Sequence, residues 1–170
     1  MILSLLALLA GQEPFDYRAS VDKELRNLAA VRVGIGDFLA SKKMPRWAQQ
    51  EYRNAIDADP DCEPARKKLN YKRVNGKWEF DPTQPLDSTN RLTADAADKV
   101  LQEWLAKSEK AGRDFGQRFA SIAAKCEQNN LKDEAVAEWK RVLELDPSNE
   151  QARKRLGYEK IPGGGWATKD

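Results

Sequence analysis

The sequence predicts a mainly α-helical protein: two duplicated helical hairpins, each followed by a short helix and a small β-hairpin. Three observations carry that fold class. The stretch QEYRNAIDADPDCEPARKKLNYKRVNGKW (50–78) lines up with AEWKRVLELDPSNEQARKRLGYEKIPGGGW (137–166) at a constant offset of 87, which becomes 88 past the glycines. Matches run without a gap through Glu51/Glu138, Asp59-Pro60/Asp146-Pro147, Ala65-Arg66-Lys67/Ala152-Arg153-Lys154, Leu69/Leu156 and Tyr71/Tyr158, the signature of an internal duplication. Second, Ala97, Leu101, Trp104, Ser108, Ala111, Phe115, Phe119, Ile122 and Cys126 recur every three or four residues, which is one face of a long helix. Third, Asn75-Gly76 between short β-prone runs is a two-residue hairpin turn, because both turn residues need positive φ.

The elements follow in order. Ile2 to Ala10 is apolar apart from Ser4, too short for the roughly 20 residues that span a bilayer, and residues 1–11 are read as a signal peptide. No Lys or Arg precedes that run, and Gln12 stands where a lipoprotein signal carries its lipidated cysteine. The protein is therefore expected to be exported, periplasmic or secreted, touching a membrane only through this segment if it is uncleaved. Unit one, 13–80, holds a long helix at 20–41, a shorter one at 45–58 ended by Asp-Pro, and a basic short helix at 63–69. A polar linker, 81–93, is rich in turn formers. Unit two, 94–168, repeats the plan with helices at 94–129, 131–145 and 150–156. Thr93 is the expected N-cap of its long helix, with Asp95 suiting the first turn and Asn129-Asn130 the stop.

The strand register follows from the turns. Asn75-Gly76 sets Val74 opposite Lys77, Arg73 opposite Trp78, Lys72 opposite Glu79 and Tyr71 opposite Phe80. Lys72 and Glu79 then form a cross-strand charge pair on the face opposite Arg73 and Trp78. With a loop built on Pro162-Gly163-Gly164, Lys160 faces Trp166, so both tryptophans meet a cation, a contact that contributes roughly 0.5–2 kcal/mol. Two uses of these faces stay open: an apolar lid on each helical pair, or an aromatic–cation platform at Arg73, Trp78, Lys160 and Trp166 for carbohydrate or cell wall.

The helical hairpins resemble the tetratricopeptide repeat. In the second copy the residues are Phe119, Ile122-Ala123, Cys126, Ala135, Trp139, Val142 and Pro147; in the first they are Ile35-Gly36, Leu39, Ala48, Tyr52, Ala55 and Pro60. Small residues at Gly36, Ala48, Ala123 and Ala135 allow the close helix approach such a hairpin requires. Arg32 stands where the family carries an aromatic. The match covers 29–62 and 116–149, and the copies lie 87 residues apart where the family spaces repeats by about 34, so a continuous solenoid is not expected. The resemblance implies a non-catalytic interaction or scaffold module with a protein or peptide partner. It implies a groove lined by the first helix of each hairpin, at Val33, Asp37, Ala120 and Ala124. Those four do not match the Lys/Asn arrangement of repeats that grip acidic chaperone tails.

Composition removes several chemistries. With no histidine in 170 residues, imidazole bases, His-containing triads and His-ligated metals are excluded, and two distant cysteines cannot make a thiolate zinc site. The glycines lack the spacing and flanking elements of phosphate loops, so no cofactor is expected. The net charge of +2 names no partner, and the basic runs at 65–73 and 152–160 sit where cations offset helix C-terminal dipoles, not where they call for nucleic acid. Carboxylates are expected on solvated helix faces, with no isolated pair in an apolar setting. Cys126 belongs to the apolar stripe, Cys62 is expected to be more exposed, and a disulfide between them is one option in an oxidising compartment. Gly112, Gly116, Ala120 and Ala124 form a small-residue stripe that lets another helix, internal or from a second chain, approach closely.

Overall fold

A computed structural model describes residues 14–168, so the signal-peptide segment at 1–11 lies outside the described residues. The order of elements is α1 (Tyr17–Ser41), α2 (Pro45–Ala58), α3 (Glu63–Lys68), β1 (Tyr71–Val74), β2 (Lys77–Phe80), α4 (Ala94–Gln128), α5 (Lys132–Leu145), α6 (Glu150–Arg155), β3 (Tyr158–Lys160) and β4 (Trp166–Thr168). The fold is mainly helical with two small antiparallel hairpins, and the sequence α-α-α-β-β occurs twice. None of the described helices is long and apolar enough to cross a membrane.

Local chemistry accounts for the boundaries. Asp16 caps α1 by accepting from the Ala19 amide at 2.9 Å, which starts that helix three residues before the periodicity alone implies. Lys43 and Asn130 take positive φ after the first helix of each pair, a left-handed residue that reverses the chain into the second helix. Asp59 is extended and Asp146 non-helical at the two Asp-Pro turns, since a residue before proline disfavours the helical region. Thr93 does hold the N-cap position of α4, but its side chain makes no capping hydrogen bond. Both strand registers are those the turns dictate: Arg73 pairs with Trp78 and Lys160 with Trp166. The expected Lys72–Glu79 pair is replaced by Lys72–Asp81 at 3.4 Å, because the chain leaving β2 brings a carboxylate nearer.

The packing does not follow the boundary between units. Residues 29–41 of α1 pack with α2, while Val21 and Leu28 belong to the core around Phe115, Phe119, Ile122 and Trp139. Reciprocally, Val100 and Ala111 of α4 belong to the core around Ile35, Leu39, Ala48 and Tyr52. The first helix of each hairpin is thus overlong, and its N-terminal arm completes the other unit's core. Ion pairing of Glu24 with Arg118 at 3.0 Å and stacking of Lys107 on Phe38 show α1 and α4 running antiparallel. Two beads on a linker is therefore not the arrangement. A hairpin closed by a 14-residue second helix buries little on its own, and exchanging arms adds apolar surface to each core.

The linker is also part of the first unit. Leu86 and Leu92 pack against its core. The segment is pinned by Asp81 N–H to the Asn70 carbonyl (2.8 Å), Gln49 to the Asp87 carbonyl (2.7 Å), Asn70 to the Gln84 carbonyl and Arg91 N–H to the Lys43 carbonyl (3.3 Å). Both cysteines are free thiols and both are buried. Cys62, expected to be more exposed, is drawn into the first core where the chain turns into α3, whereas Cys126 sits in the second, so no disulfide joins them.

The small-residue stripe has an internal partner. A Cβ on Gly112 would lie 2.2 Å from the Leu145 carbonyl oxygen, and one on Gly116 3.2 Å from the Asp146 side chain. The end of α5 therefore crosses directly over α4. On the other hairpin, Gly36 admits the ring of Tyr52, which a Cβ would meet at 2.4 Å.

Candidate interaction sites

The polar centre of the molecule is a pair of buried glutamates, Glu51 and Glu138, exposed to 1% and 0%. They were expected on a solvated helix face; the arms cover them instead. Glu51 accepts from Arg32 at 3.1 Å and from the indole of Trp104, on the other unit's arm, at 2.8 Å. Glu138 accepts from Arg141 and from the phenol of Tyr17, again on the other unit's arm, at 2.8 Å. Tyr17 and Trp104 are themselves 87 residues apart, so the two contacts are the same contact made in both directions. Arg32, at the position where the tetratricopeptide pattern carries an aromatic, neutralises Glu51. Each carboxylate is paired and hydrogen-bonded, the condition on which a buried charge is tolerated.

The Tyr17 phenol is pushed up to about 12 by burial and then by the hydrogen bond to Glu138. Because the folded state favours the neutral phenol, this contribution is fully present below pH 10 and is lost as pH rises to about 12. Tyr17→Phe is expected to shallow the fall in stability between those two values, read by denaturant unfolding across the alkaline range.

A second polar pattern is repeated with different residues. Tyr52 donates to Asp37 at 2.7 Å, and Lys68 pairs with the same carboxylate at 2.7 Å. In unit two, Trp139 donates to Glu127 at 2.9 Å, and Arg155 pairs with it at 3.1 Å. The longer indole reaches a carboxylate one turn further along its helix. Burial pushes the Asp37 carboxyl up, but the hydrogen bonds from Lys68 and Tyr52 outweigh it and hold the group below its ordinary value.

The four groove positions are not brought together. Val33 is half-buried against the first core, Ala120 is half-buried against the second, Asp37 is held by Tyr52 and Lys68, and Ala124 is half-covered. The tryptophans do keep their cations. Arg73 lies over Trp78 at 4.9 Å with Arg66 at 6.0 Å, and Arg153 and Lys160 lie over Trp166 at 5.6 and 5.5 Å. Asp61 ties the first cluster by accepting from Trp78 (3.0 Å) and Arg73 (2.9 Å). That indole hydrogen bond, followed by the cations Arg73 and Arg66, holds the Asp61 carboxyl below its ordinary value. Each hairpin leans on its own short helix, and among the described residues Tyr71 of unit one also packs against the first core.

Beside each hairpin lies a cleft between the second helix, the end of the short helix and the first strand. In unit one it encloses about 530 Å³, with Ile56, Leu69 and Tyr71 as floor, Arg53 at the rim, and Phe80 and Leu86 against it. In unit two the corresponding residues are Leu143, Leu156, Tyr158 and Lys140, around about 360 Å³. A further open cleft of about 410 Å³ adjoins Trp166, with Lys154, Tyr158 and Lys160. Among the described residues, no cluster of three or more Cys, Asp or Glu is placed to hold a metal ion. In the comparison with known proteins, no family model matches the chain and no curated protein is detectably similar to it.

Proposed function

We propose that the protein is a non-catalytic interaction module, built from two duplicated tetratricopeptide-like hairpins with exchanged arms and working outside the cytoplasm on a protein or peptide partner. The observation that carries this reading is the segment 81–91, which turns at 82–84 and then runs without helix or strand along a helical hairpin, with its Leu86 against an apolar cleft and its main chain hydrogen-bonded. A surface that holds one extended chain in this way has the chemistry to hold another: main-chain bonds supply affinity, and a pocket selects the side chain. The small-against-large contacts at Gly36/Tyr52 support the repeat-like hairpin, and the apolar run at 2–10 supports export. Crosslinking in the native cell, followed by identification of what is attached, tests the reading. A specific extracytoplasmic protein is the expected product; recovery of none overturns it.

One observation favours a second reading, a carbohydrate or cell-wall binder: Trp166 is half-buried at the edge of an open cleft lined by cationic and aromatic side chains. The cations over both indoles weigh against it, since a sugar stacks on a ring face that is free. Trp78→Ala with Trp166→Ala separates the cases. Loss of sedimentation with wall polymer by a variant with unchanged folding supports the sugar reading; reduced thermal stability, with no binding to lose, supports a structural role.

A further inference from the structure

The two tryptophan clusters hold the same cations but not the same acids. In unit one, Glu63 pairs with Lys67 at 2.6 Å, while Asp61 accepts from Arg73 at 2.9 Å and from the Trp78 indole N–H at 3.0 Å. Two carboxylates thus serve two cations and an indole. At the offset of 87, Glu63, Lys67 and Arg73 become Glu150, Lys154 and Lys160, but Asp61 becomes Ser148. Glu150 pairs with Lys160 at 2.7 Å. Among the described residues, Lys154 is then left without an ion pair and the Trp166 indole N–H without a hydrogen bond. Both side chains line the same open cleft of about 410 Å³. Glu159 also lines it, but strand alternation turns its side chain to the face opposite Lys160 and Trp166. The backbone at the replaced position is the same in both units: the amides of Asp61 and Ser148 donate to Asp59 and Asp146, each at 3.1 Å. The difference is therefore one side chain within the chain.

We infer that the cleft beside Trp166 and Lys154 receives an aspartate or glutamate side chain of a partner protein, which accepts from the Trp166 indole as Asp61 accepts from Trp78. The occupant is an acidic side chain because the group that plays this part in unit one is itself an aspartate. Charge complementarity agrees with it: Arg153 and Lys160 lie over the Trp166 ring and Lys154 lines the cleft, with Glu150 as the one carboxylate paired to them. A carboxylate arriving there gains a charge-assisted contact from Lys154 and a directed hydrogen bond from the indole. The lysines steer the encounter and the indole fixes the orientation. This inference rests on the interaction-module reading and names the site and ligand class within it.

The test uses the full chain with its indole nitrogens isotopically labelled, titrated with the capped peptide Gly-Asp-Glu-Asp-Gly and, as uncharged control, Gly-Asn-Gln-Asn-Gly. The expected result is a saturable shift of the Trp166 indole N–H by the acidic peptide, with Trp78 unmoved and the control without effect. Ser148→Asp, checked for unchanged thermal unfolding, should supply the carboxylate from within and weaken the peptide about tenfold or more, the worth of a hydrogen bond to a charged group. Asp61→Ser should do the reverse and make Trp78 respond. Absence of a shift at millimolar peptide, equal shifts at Trp78 and Trp166, or a response that Ser148→Asp leaves intact overturns the inference. So does a shift produced by oligogalacturonate and not by the peptide, which would make an acidic polysaccharide the occupant. If Ser148→Asp still crosslinks the same partner in cells, this site is wrong while the module reading stands.

Discussion

Glu138→Ala is expected to destabilise the protein by about 3–5 kcal/mol, because it strips a buried charge network of its acceptor and leaves two donors without one. The donors are Arg141, whose guanidinium is partly solvated, and Tyr17, whose hydroxyl comes from the far end of α1. Glu138→Gln keeps an acceptor for the phenol and should cost less, about 1–3 kcal/mol. The effect is not one of charge alone. The exposed pair Lys110–Asp114 lies on the same helix surface as many solvated ions, and Asp114→Ala should leave unfolding unchanged within error. Combining Tyr17→Phe with Glu138→Gln should cost less than the sum of the two, the coupling that a double-mutant cycle reads directly. Denaturant unfolding by circular dichroism, with Tyr17→Phe alone completing the cycle, measures all five variants.

The second large effect comes from a single methyl group. Gly112→Ala puts a Cβ 2.2 Å from the Leu145 carbonyl oxygen, which is backbone and cannot swing aside, so α4 and α5 must separate. Overpacking of this kind costs about 1–3 kcal/mol. It more than offsets the gain of about 1 kcal/mol that alanine brings to a helix interior. Gly34→Ala supplies the opposite sign. That glycine is also helical, but nothing lies within 4 Å of the added carbon, so the variant should gain up to about 1 kcal/mol. Midpoints of guanidinium unfolding for the two variants should therefore move in opposite directions. Equal movement would mean that the α4–α5 crossing is looser than its geometry indicates.

Local structure was legible because its causes are local. Asn75-Gly76 dictates a two-residue turn, and every pairing from Tyr71–Phe80 to Val74–Lys77 follows from it. Asp-Pro ends both second helices for a reason contained in two residues. The long-range polar centre was less visible. Periodicity shows that Ala97, Leu101 and Trp104 face something apolar, but not that the something belongs to the other unit. Glu51 and Glu138 align at the offset of 87 and look like solvated helix positions, because their burial depends on Trp104 and Tyr17, which lie outside the closely matched stretch. Carrying the same offset towards the N-terminus pairs Tyr17 with Trp104, two aromatic donors on the N-terminal arms of the two long helices, and that was the available signal. The groove at Val33, Asp37, Ala120 and Ala124 came from the geometry of stacked repeats. In the fold, Val33 packs on the first core and Ala120 on the second, on two helices that run antiparallel. Cys62 shows the same limit: its burial comes from packing against residues distant in sequence, not from its neighbours Asp61 and Glu63.

The interlocked arms are the centre of this account, and hydrogen exchange on the intact Glu138→Ala protein tests them most directly. If each arm completes the other unit's core, loosening α5 must release α1, and the amides of α2 around Ala48, Tyr52 and Ala55 should lose protection in parallel with those of α5 around Trp139 and Val142. Loss confined to residues 132–145, with α2 as protected as in the wild type, would contradict it and return the two hairpins to independent units.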